Sequence, residues 1–192
     1  MAEMFQFKDN LVAEMQLSSA LKYRKLYFND EFNQDSCFKA MYLLNRLEEL
    51  DKKTGTKDDI EIIVNSFGGM IYSGLQLIST ICRMKDMGYK IITTVDTAMS
   101  MGFMLGIVGS ERRCSRYATY LCHQPSSATW GTLRDMESDV EETKRLWNLM
   151  KTIIKENTLL TDEELDKIYI EKQDKVYTPQ QALELGICDV II

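Results

Sequence analysis

Two β-branched runs, "IEIIVNS" from Ile60 to Ser66 and "KIITTVD" from Lys90 to Asp96, each give way to a segment with helical apolar spacing. This repetition constrains the fold more than any other feature. A continuous apolar run bounded by chain breakers reads as a buried strand. Two strand-helix units in a row call for a largely parallel sheet with right-handed crossovers. Gly68-Gly69 closes the first run, and the helix after it sets Ile71, Leu75, Ile78 and Cys82 on one face. Upstream, "RKLYF" is a short strand, and from Ser36 a helix carries Cys37, Met41, Leu44 and Leu47 on one side, with Gly55 in the loop that follows. Downstream, a short apolar helix leads to a further strand, "YATYLCHQ", which ends at His123 and is stopped by Pro125.

A long helix is expected from near Thr132 to about Asn157. It starts on the capping-box-like "TLRD", and Met136, Val140, Thr143, Trp147, Met150 and Ile154 form one stripe. Thr161 opens a shorter helix. "TPQQALELG" from Thr178 combines an N-cap threonine, proline at the first helical position, glutamine at the third and a closing glycine, and "ICDVII" ends the chain as a strand.

The 192 residues suit one domain, residues 1–192, long enough for a sizeable core. A hydrophobic content of 45% with only two prolines describes a globular chain. The net charge of −6, with no basic run beyond pairs such as Arg112-Arg113, excludes nucleic acid as a partner. No basic stretch runs into an apolar core at the start, and no segment approaches about eighteen apolar residues, so a soluble cytoplasmic protein without membrane contact is expected. Five cysteines without a CxxC pair read as free thiols rather than disulfide or zinc partners. No metal or organic cofactor is implied, and the chain lacks GxxxxGK[ST] for nucleotide binding.

The chemistry concentrates in "TAMSMG", Thr97 to Gly102. A serine among methionines and hemmed by the small residues Ala98 and Gly102, at a strand end and directly before a helix, has the geometry of a nucleophile elbow, though Ala98 makes the motif looser than GxSxG. The residues alone leave a second reading, a turn serine capping the helix. A hydroxyl nucleophile needs a base poised near neutrality, and His123 is the single histidine. It reads equally as a structural hydrogen-bonded residue. An orienting carboxylate must come from a loop, where Asp174 in "EKQDKVYTP" is one choice among 29 acidic residues. Gly68 and Gly69 permit positive φ and let backbone N–H groups point into a cleft, beside the N–H of Met101; the alternative is a plain tight turn.

Taken together, "VNSFGGMIYSGLQLISTI", "TTVDTAMSMGFMLGIVGSERR", "YLCHQP", "WGTLRDMES" and "DKVYTPQQALELGICDVI" resemble the serial blocks of the ClpP family, the caseinolytic serine protease subunit, from about Ile60 to the C-terminus. The resemblance implies an α/β fold, a ClpP/crotonase-like superhelix of crossed ββα units with a protruding handle helix at about 132–157. It implies a Ser100, His123, Asp174 triad with Gly68, Gly69 and Met101 around the oxyanion. It also implies two stacked heptameric rings that enclose a chamber for peptides or unfolded proteins, fed by a Clp-type AAA+ unfoldase. Phe67 stands where the family usually has proline, Gln173 where it has arginine, and Ser126 to Trp130 replace a glycine-rich stretch. The first twenty-five residues match the axial-loop region poorly. Two other readings stand beside this one, a noncatalytic or conditionally active ring subunit and a crotonase-like acyl-CoA enzyme.

Overall fold

The computed structural model describes residues 2–192, with side chains described for Val12 and from Glu14 onward. The chain begins with α1 (Ala2–Tyr23), β1 (Lys25–Phe28), α2 (Gln34–Thr54), β2 (Ile60–Ser66), α3 (Ile71–Asp86) and β3 (Ile91–Met99). It continues through α4 (Met101–Ile107), β4 (Glu111–Cys122), α5 (Leu133–Asn157), α6 (Asp162–Ile170), β5 (Lys175–Tyr177), α7 (Pro179–Glu184) and β6 (Val190–Ile191). Strands β1 to β4 lie side by side and parallel, β5 adds antiparallel to β4, and β6 pairs parallel with β4 beside its start. This is the mixed α/β fold expected from the sequence, with one antiparallel strand on the mainly parallel sheet.

Local chemistry explains where the helices begin and end. Asn33 and Ser36, Thr132 and Asp135, Thr161 and Glu164, and Thr178 and Gln181 form reciprocal capping boxes at the starts of α2, α5, α6 and α7. Gly55 closes α2 in the left-handed region at φ 74°. The core lies between the sheet and its helices. Leu26, Ile60, Ile62 and Val64 from the strands meet Leu44, Leu47, Leu77, Ile81 and Met84 from α2 and α3.

Four expectations need correction. The buried side of α3 is Leu77, Ile78, Ile81 and Met84, so Leu75 and Cys82 turn outward; Cys82 is exposed, while the other four cysteines are buried. Strand β4 starts six residues earlier than "YATYLCHQ" and stops at Cys122. The final strand is only two residues long. In α5 the inner face is buried from Leu146 onward, but Met136 and Val140 are exposed.

Register irregularities sit ahead of the site. β3 pairs Val95 with Cys114 and then Thr97 with Thr119, so Asp96 and the four residues Ser115 to Ala118 stand outside the ladder. The β2–β3 ladder slips at the same point. Bulges of this kind re-aim a strand end, and here they set the C-terminal ends of β2, β3 and β4.

Candidate active site

Ser100 occupies the junction between β3 and α4 at φ 56° and ψ −119°. A non-glycine residue there carries strain of about 1–3 kcal/mol. Neighbouring elements hold it in place. Its N–H donates to Leu121 O over 2.9 Å, which ties the turn to β4, and its carbonyl accepts the N–H of Met104 at 3.3 Å. Every residue of α4 is buried, and Phe103 packs on Tyr120 and Tyr177 with ring centroids 6.3 and 6.2 Å away, which fixes the helix against β4 and β5. Gly102 is required because a Cβ would stand 2.7 Å from Ser66 O, at the end of β2.

The hydroxyl of Ser100 makes no capping bond to α4. This removes the capping-serine reading. Among the described residues no buried side-chain polar atom lacks a partner, so the unbonded Oγ of half-buried Ser100 keeps some contact with solvent.

The glycine turn lies beside it. A Cβ on Gly68 would fall 2.5 Å from Ser100 Cβ and 2.9 Å from Met99 O, so only glycine allows the turn and the serine to approach this closely. The Gly68 carbonyl accepts from Phe32 N at 2.8 Å, and Met70 N donates to Phe32 O at 2.6 Å, a one-residue parallel bridge centred on Gly69. In such a bridge the N–H of the central residue points the opposite way. Gly69 N–H is therefore directed away from Phe32, toward the side where β3 ends. It has no backbone acceptor among the described residues, and neither does the N–H of Met101 at the start of α4. The N–H of Gly68, by contrast, donates to Ser66 Oγ at 3.2 Å, and Ser66 Oγ donates to Asp30 O at 2.6 Å. Of the three expected oxyanion positions, Gly69 and Met101 present unbonded donors, and Gly68 supplies clearance. Ser66 is a supporting residue that sequence reasoning missed. Its only signal was a polar residue closing an apolar run.

His123 follows the last residue of β4, and Asp174 directly precedes β5. Because Cys122 pairs with Lys175 across the antiparallel ladder, the next positions outward are His123 and Asp174. Met99 pairs with Leu121, so Ser100 adjoins the same end of β4. The backbone thus gathers the three positions at neighbouring strand ends. His123 is half-buried and Asp174 exposed, next to a strand rather than within a long loop. Burial, and then the nearby Asp174 carboxylate, push the Cys122 thiol up to about 12, so this thiol is inert at neutral pH. Among the described residues no hydrogen bond joins Ser100, His123 and Asp174 to one another.

The sequence profile of the family described as Clp protease matches residues 9–192. The chain belongs to the Clp protease family. Family membership makes it a relative of serine-protease proteolytic subunits, and the mixed sheet and helices fit that fold. Among curated relatives, the ATP-dependent Clp protease proteolytic subunit 1 of Prochlorococcus marinus subsp. pastoris is 27% identical over 178 residues, covering 91% of this chain and 86% of the relative. The ATP-dependent Clp protease proteolytic subunit of Bacteroides thetaiotaomicron is 29% identical over 137 residues, 70% of this chain and 60% of the relative. Membership of the Clp protease family displaces the acyl-CoA reading. No helix among the described residues is long and apolar enough to cross a membrane.

Proposed function

We propose that this chain is a single peptidase domain that cuts peptide bonds by acyl transfer to Ser100, inside a chamber built from copies of itself. His123 takes the proton from the Ser100 hydroxyl as Oγ attacks the peptide carbonyl carbon. The new oxyanion is held by the N–H groups of Gly69 and Met101, and His123 then passes the proton to the leaving amine. Asp174 holds the imidazole in the required tautomer and stabilises its cation. Water, deprotonated by the same histidine, breaks the acyl ester and regenerates the serine. The observation that carries this reading is a strained serine at φ 56° whose hydroxyl caps nothing, beside two unbonded N–H groups.

The relatives' names support a partner class. Both relatives are called ATP-dependent proteolytic subunits, and this chain has no phosphate-binding loop of its own. Folded substrates would therefore depend on a Clp-type unfoldase ring, whereas short peptides would enter unaided. Hydrolysis of a fluorogenic peptide tests the chemistry. Ser100→Ala should reduce turnover by several powers of ten, because triad members act as a unit, and unchanged turnover would refute the assignment.

A second reading has one observation in its favour. The three side chains are not hydrogen-bonded to one another, and unliganded catalytic hydrogen bonds are often loose. On this reading the subunit is conditionally active, and the triad closes when rings assemble or a partner docks. Peptide turnover by the chain alone would count against it.

A further inference from the structure

The inner side of α5 changes character along its length. From Leu146 onward it is apolar and buried, with Trp147, Met150 and Ile154. Ahead of Leu146 the same side carries Asp139, Glu142 and Thr143, all half-buried, so packing gives way to hydrogen bonding. Two side-chain contacts attach this polar half. Ser127 Oγ donates to Asp139 Oδ2 over 2.5 Å, and Tyr72 Oη donates to Glu142 Oε1. Arg145 pins the same carboxylate with two 2.7 Å bonds. Arg145 first, and Tyr72 next, hold the Glu142 carboxyl at about 2, so it stays ionised at any working pH.

The two attachment points lie on opposite flanks of Ser100. Tyr72 is in the first turn of α3, three residues after Gly69, and Ser127 is four residues after His123. In the sheet β2 and β4 flank β3, so the glycine turn and the chain leaving His123 are the two walls of the cleft over the serine. One helix reaches both walls.

We infer that Tyr72 and Ser127 are positioning residues: through Glu142 and Asp139 they couple both walls of the cleft to the N-terminal half of α5, and so set the gap an extended peptide must enter. The catalytic consequence rests on the proposed function; the coupling itself does not. Each bond is a surface contact of modest strength, so the arrangement fixes a geometry while remaining easy to release. A shift of α5 would move both walls together.

A double-mutant cycle tests this on the full chain. Tyr72→Phe, Ser127→Ala and the double variant are compared by amide hydrogen exchange over residues 67–72 and by limited proteolysis within residues 124–131, with Glu142→Ala as a second entrance to the same coupling. Each single change should raise exchange or cleavage roughly two- to ten-fold on its own wall and measurably on the other, and the double variant should match the singles rather than multiply them. In parallel, the rate of fluorophosphonate labelling should fall in the variants with the thermal midpoint unchanged. Independent, multiplying effects, or exchange altered at one wall alone, would overturn the inference. Exchange reads the coupling whether or not Ser100 is a nucleophile, and absence of labelling in the unsubstituted protein would count against the proposed function instead.

Discussion

At the scale of single residues, Ser100 and Gly68 depend on each other. The serine sits at φ 56° and the glycine at φ 104°, and they approach so closely that a methyl group on Gly68 would stand 2.5 Å from Ser100 Cβ. Gly68→Ala introduces both strain at a positive φ and a collision with the side chain of Ser100. We expect it to cost about 1–3 kcal/mol in urea unfolding and to abolish serine labelling even where the protein still folds. A variant that labels at the normal rate would show that the close approach has no bearing on the chemistry. The serine turn was legible in the sequence through the order and spacing of the blocks around it, since a serine at a strand end before a helix reads by itself equally as a helix cap. The division of labour between the glycines was not, since it depends on the bridge to Phe32, thirty-six positions upstream of Gly68.

Among the elements, the junction of α1 and β1 is held by one side chain. Arg24, itself at φ 55°, makes two bonds to the buried Asp51 carboxylate of α2 at 2.9 and 2.7 Å and two more to the carbonyls of Asp58 and Asp59. Arg24→Ala leaves that carboxylate buried without its cation, and should destabilise the fold by about 3–5 kcal/mol, read as a lower urea midpoint at unchanged slope. A loss below about 0.5 kcal/mol, the size of an exposed pair, would mean that water replaces the arginine. The capped helices were readable because their signals are local and redundant. The buried side of α3 was misread because Leu75 and Cys82 fit a helical period as well as Leu77, Ile81 and Met84 do. Only the direction in which the glycine turn releases the chain decides between the two faces. Strand β5 is three residues long, too short for any periodicity, although it places Asp174 opposite His123.

For the molecule as a whole, parallel sheets are ordinarily covered on both faces, yet here the outward positions of the strands include Tyr27 and Val190, both exposed, and half-buried Ile63. The free end of α5 presents Leu133, Met136 and Val140, with Trp130 just before it at 87% exposure. A lone chain has no reason to keep such a stripe in water. The proposed assembly of this chain with copies of itself would cover it, and Val140→Asp should then lower the sedimenting mass toward the 22.2 kDa of one chain while far-ultraviolet dichroism stays the same. A variant that sediments like the unsubstituted protein would place the contact elsewhere.

Intact mass after fluorophosphonate treatment reads whether Ser100 is an activated nucleophile. A nucleophilic Ser100 gives one adduct on the unsubstituted protein and none on Ser100→Ala or His123→Ala. An adduct that persists in Ser100→Ala, or a protein that stays unlabelled even when assembled, would contradict it.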